Sequence, residues 1–151
     1  MNEAYTMEGL ERLLSLYSKG EDNIISITDY IAKLASSGQE WVLVTRTNSD
    51  GIKDKHKFNI AMDEDDNRYV MVFSSKNKVM NNKDFYLKTL RIDMIFDFIM
   101  SRNDVEGIVL NLKTDDIIFG KKWIWIVQQI IQKNDLDTQQ DVDGKGEKIS
   151  K

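Results

Sequence analysis

The chain contains no cysteine and no proline, and only one histidine among its 151 residues. Without cysteine there is neither a disulfide framework nor a thiolate metal site. Without proline, the turns fall to glycine and to Asn/Asp clusters, which tolerate unusual backbone angles. The absence of cysteine excludes a Cys/His nucleophilic site, and His56 is the single imidazole around which a Ser/His/Asp site could form. It stands between Lys55 and Lys57 in a segment that reads as an exposed loop, a poor setting for a general base. There is no G-x-S-x-G elbow and no glycine-rich phosphate loop; the serines pair in loops as Ser36–Ser37 and Ser74–Ser75. No apolar run approaches the roughly 18–20 residues of a membrane helix. The opening "MNEAYTMEGLERLL" has no basic region and no unbroken apolar block, so a cytoplasmic rather than secreted protein is expected.

What is present is a globular balance, 41% hydrophobic and 30% charged, on a chain long enough for one well-buried core. The formal charge of −4 weighs against nucleic-acid binding and favours a basic partner at long range. Lys53, Lys55, His56 and Lys57 do cluster, and read as a solvated loop where the chain enters a strand.

Periodicity supplies the elements. Met7, Leu10, Leu13, Leu14 and Tyr17 share one helical face, ended by Gly20. A second helix is expected over 27–37, lined by Ile27, Tyr30, Ile31 and Leu34, capped by Ser26 or Thr28 and followed by Gly38. "EWVLVTR", 40–46, reads as a central strand covered on both faces. Residues 57–62 alternate, "DEDDN" (63–67) reads as a hairpin turn, and "RYVMVFS" (68–74) as its second strand. After a polar connection with a short helical turn, a strand is expected over 87–92 and a helix over 93–101 that buries Ile95, Phe98 and Ile99. "GIVLNL" is a strand, "KTDD" a turn, "IIF" a short strand and Lys121–Lys133 a final helix. From Asn134 to Lys151 the chain is polar and aperiodic, and reads as a disordered tail behind a folded domain of residues 1–133. The fold class is α+β: one domain with a mixed or antiparallel sheet of about five strands, flanked by helices on at least one face.

The acidic run Asp63, Glu64, Asp65, Asp66 lacks EF-hand spacing and reads as a solvated turn; Asp115 with Asp116, and Asp93 with Asp97, are looser pairs without a second motif. No catalytic residue, cofactor or metal is therefore assigned.

The sharpest signal is "KKWIWIVQQIIQK". At about 100° per residue, Trp123, Ile126, Val127, Ile130 and Ile131 form an apolar face, and Trp125 points the other way among Gln128, Gln129 and Gln132. Trp123 is then a core residue. Trp125 is either covered by the N-terminal helix or the tail, or it is where another protein docks, with Gln128, Gln129 and Gln132 around it.

The order of elements, a helix leading to "WVLVTR", an acidic hairpin into "YVMVFSS", then "GIVLN" with a polar turn and a closing helix, resembles the SseB-like N-terminal domain family. These are bacterial α+β domains named for enhanced serine sensitivity, and the resemblance covers roughly residues 27–131. In the family a proline usually follows the asparagine of "GIVLN"; here Leu112 follows Asn111, which predicts a looser or shifted turn. The resemblance brings no catalytic residues. It implies a small cytoplasmic protein that works by binding, in some cases within secretion or toxin–immunity systems. Three functions follow: an immunity-type inhibitor of a toxin or effector, a ligand-sensing domain linked to serine metabolism, and a hydrolase built on scattered carboxylates.

Overall fold

A computed structural model describes residues 5–21, 23–47, 53–79 and 86–150, with side chains described for 5–21, 23–44, 58–79 and 87–136. The element order is α1 (Met7–Ser18), α2 (Ile24–Ser36), β1 (Glu40–Thr47), β2 (Lys53–Phe58), β3 (Ile60–Met62), β4 (Arg68–Phe73), β5 (Tyr86–Arg91), α3 (Ile92–Ser101), β6 (Gly107–Leu110), β7 (Ile117–Gly120) and α4 (Lys121–Ser150), with a 3-10 turn at Lys76–Lys78.

The seven strands form one mixed sheet, and the chain is an α+β domain. Among the described residues five of its six ladders are antiparallel and one, between β4 and β6, is parallel. β1 pairs with β5 along Glu40–Thr45 on one side, and shares its other side between β4 and β2. β4 runs parallel to β6, and β6 antiparallel to β7. Asn59 holds the fork where β2 ends and β3 begins. Its N–H donates to the Val44 carbonyl at 2.9 Å, and its own carbonyl accepts from Met71 at 3.0 Å.

β1 alternates as a strand covered on both faces must. Trp41 and Leu43 enter the main core with residues of all four helices, so the helices pack on one face of the sheet. Val42 and Val44 point to the opposite face, where they meet Phe73, Val79 and the half-buried Leu112 in a smaller cluster. Gly107 is required where β6 meets β7, because a Cβ there would lie 2.1 Å from the Phe119 carbonyl oxygen.

Several expectations need correction. α2 begins three residues early, and its cap is Asn23, whose side chain accepts from the Ser26 N–H at 3.0 Å. The Thr28 hydroxyl instead donates to the Ile24 carbonyl within the helix. Lys53, Lys55, His56 and Lys57 belong to β2, paired to the end of β1, and not to a loop; their side chains lie outside the described residues. Residues 80–85 of the polar connection also lie outside them. α3 buries Ile92, Ile95, Phe96 and Ile99, while Phe98 stays half-buried against Phe58, with ring centroids 5.5 Å apart. The turn after Asn111 is closed, not loose: the Asn111 carbonyl accepts from the N–H groups of Thr114, Asp115 and Asp116, each at 3.0 Å.

The final helix does not stop at Lys133 but runs to Ser150, through the segment read as a disordered tail. Once a packed turn has nucleated a helix, each further residue adds one hydrogen bond, and no proline interrupts the ladder. The last α4 residue in the core cluster is Ile131, and Leu136 is exposed. Deleting residues 137–151 is therefore expected to lower the melting temperature by no more than about a degree or two, since changes outside the packed region rarely exceed ~0.5 kcal/mol. A thermal melt of the truncated chain checks this; a large drop would place the extension in the fold.

Candidate functional site

α4 follows β7 directly, and its buried face is centred on Ile124 and Val127, both fully buried. Trp123 lies at the flank of that face. Its ring stacks on Phe119 at 3.8 Å between centroids, meets Phe96 edge-on at 6.0 Å, and its Nε1 donates to the Thr28 hydroxyl at 2.9 Å. Ile126, expected in the core, is 42% exposed, because the face turns toward Ile124 to seat the Trp123 indole on Phe119 and Thr28.

Trp125 is 54% exposed, so neither α1 nor the C-terminal extension covers it. Gln129 and Gln132 are exposed on the same side. Gln128 departs from the expectation: it is half-buried and its Nε2 donates to Asp97 Oδ1 at 3.0 Å. It ties α4 to α3 rather than facing a partner. Lys121 makes a second tie, its Nζ donating to the Arg102 carbonyl. Position 121 thus lies by 102 and position 128 by 97, so the two helices run antiparallel.

A second polar assembly lies at the carboxyl ends of the parallel pair β4 and β6. Asn111 is fully buried with φ +55°, a backbone region that asparagine tolerates better than most residues. Its Oδ1 accepts from the Ser74 N–H at 2.8 Å, and its Nδ2 donates to Ser74 Oγ at 3.0 Å and to Asp115 Oδ2 at 2.8 Å. Ser74 Oγ donates in turn to Glu11 Oε2 at 2.5 Å, and Ser75 Oγ to the same oxygen at 3.0 Å. Every polar atom of the Asn111 side chain is satisfied, and the assembly binds α1, the end of β4 and the β6–β7 turn together. Beside it, Tyr17, Ser18, Asp115, Asp116, Ile117 and Ile118 line an open cleft of about 430 Å³.

The acidic hairpin is a self-contained turn. Asp63 accepts from the N–H groups of Asp65 and Asn67, both at 2.9 Å, and from the Asn67 side chain at 3.0 Å. The Asn67 side-chain bond is the main reason its carboxyl sits below the usual range. Arg102 holds Asp104 down to about 2, chiefly through their side-chain hydrogen bond, and Arg91 lowers Asp93 in the same way. Among the described residues, no three His, Asp or Glu side chains come close enough to hold one metal ion.

The sign of the acid response follows. A carboxyl with a lowered folded value contributes stability that is present above its unfolded value of 3.8 and lost as pH falls through the lowered one. Melting temperature should be level from pH 7 to about pH 4 with respect to these groups, then fall toward pH 2. Asp104→Asn should make that acid decline shallower; an unchanged slope would show that the Arg102 pair does not act on stability.

No family model, curated protein or solved structure matches this chain. No helix among the described residues is long and apolar enough to cross a membrane.

Helical periodicity places Trp125 on the exposed side of α4, as the structure shows, and gives no sign of the Asn111 assembly. Ser74 lies 37 residues from Asn111 and 63 from Glu11, so no local periodicity joins them.

Proposed function

We propose that the chain is a non-enzymatic protein-binding module, most concretely an immunity-type inhibitor that plugs a bacterial toxin or effector. The observation that carries this reading is Trp125, held 54% exposed on a helix whose other tryptophan is engaged by the fold. Tryptophan is the side chain most often found to dominate a binding interface, and a rigid helix presents it with little entropy left to lose. Resemblance to the SseB-like domains is the second support.

The test is co-expression with a growth-arresting effector encoded beside this chain. Wild-type chain should relieve the arrest and Trp125→Ala, present at the same level, should not. Such a hot-spot loss weakens a complex by about 2 kcal/mol or more, roughly thirtyfold. Equal relief by both would remove Trp125 from the interface, and no relief by the wild type would remove the immunity reading.

The cleft beside Asp115 and Asp116 favours a second reading, a sensing domain for a small amine-bearing ligand such as an amino acid; its size suits a ligand site. Serine at 100 times its dissociation constant would then add about 2.7 kcal/mol to stability. A melting temperature indifferent to millimolar serine and the other amino acids excludes it.

A further inference from the structure

We infer that the surface docking on α4 is an acidic protein surface, opposite in charge to what the net charge of this chain suggests; the inference rests on the reading of Trp125 as a docking residue. At about 100° per residue, positions 122, 125, 126, 129, 132, 133 and 136 fall within an arc of about 120°, and all of them are exposed. Three are apolar: Trp125, Ile126 and Leu136, at 54%, 42% and 58% exposure. Two are glutamines. The remaining two are Lys122 and Lys133, and between positions 121 and 136, where the side chains are described, the arc carries no carboxylate.

Lys121, just off the arc, is engaged by the Arg102 carbonyl, whereas neither Lys122 nor Lys133 has an ion-pair partner among the described residues. Eleven residues apart on a helix, the two ammonium groups stand about 16 Å from each other along the axis, with Trp125 and Ile126 between them. Apolar residues between two lysines that have no ion-pair partner among the described residues are complementary to an apolar pocket flanked by carboxylates. Burying the strip against a neutral or basic partner would leave two lysines unpaired at its rim.

Cationic, apolar helix faces also settle on anionic lipid, but three apolar residues and two lysines are few for that. The acidic protein surface is the better match.

The experiment uses the whole chain and two synthetic 18-residue helical peptides with the same leucine stripe, one flanked by glutamates and one by lysines. Binding is read by anisotropy of the labelled peptide. The glutamate peptide should bind at least about tenfold tighter, Lys122→Glu with Lys133→Glu should reverse the order, and Trp125→Ala should weaken the glutamate peptide about thirtyfold. Preference for the lysine peptide, an order unmoved by the charge reversal, binding of neither peptide, or preference for phosphatidylglycerol vesicles overturns the inference. If Trp125→Ala weakens both peptides equally and the lysines do not matter, the docking face stands and the acidic partner falls. If Trp125→Ala changes neither, the reading of Trp125 itself has failed.

Discussion

Trp123→Ala should destabilise the domain by about 3–5 kcal/mol, lowering the melting temperature by on the order of 10 °C. The ring does more than fill volume. It stacks on Phe119, meets Phe96 edge-on and donates its N–H to Thr28, so it joins β7, α3 and α2 through α4. Truncation opens a cavity between these elements and removes the donor to the Thr28 hydroxyl, which keeps its own bond to the Ile24 carbonyl. Trp123→Phe should cost less than alanine, since it keeps an aromatic ring against Phe119 and gives up the hydrogen bond, worth about 1 kcal/mol, together with the smaller volume difference between indole and phenyl. Thermal or urea melts of both variants check the ranking; comparable losses would mean that the hydrogen bond, rather than the packing, is the main contribution.

Asn111→Ala is expected to cost about 2–5 kcal/mol, from two sources of different kinds. Alanine at φ +55° meets the steric conflict of the left-handed region, about 1–2 kcal/mol. The buried Ser74 N–H loses its acceptor, a further ~1–3 kcal/mol. Asn111→Gly removes only the second contribution's partner while accepting the backbone angle, so it should cost about 1–3 kcal/mol. If glycine is as damaging as alanine, the strain at this turn is negligible and the hydrogen-bonded assembly with Ser74 and Glu11 carries the whole effect.

These two residues mark where the sequence was legible and where it was not. Valine-rich β1 and the apolar positions of α1 and α2 are legible, because burial imposes a period of two or 3.6 on neighbouring residues. The expected strand at 57–62 begins too late, since Lys53, Lys55 and Lys57 alternate with Asp54 and His56 in β2 and leave no apolar face to read. The inward side of α4 was rotated: with Trp123 and Ile126 assumed to share the core, Ile124 was passed over, although it is fully buried. That rotation is set by Phe119 and Thr28, which belong to other elements. Trp125 was found because its position opposite Val127 is a property of the helix alone. The net charge of −4 hides the lysines on either side of it, because that figure averages over the whole chain.

The central claim is that Trp125 belongs to a partner and not to the fold, and the most direct measurement is the melt of Trp125→Ala beside that of Trp123→Ala. The exposed ring predicts that Trp125→Ala melts within about a degree or two of the wild type while Trp123→Ala falls by on the order of 10 °C. Equal destabilisation would contradict the account, because it would show that the chain itself uses the Trp125 ring and leaves none of it for a partner.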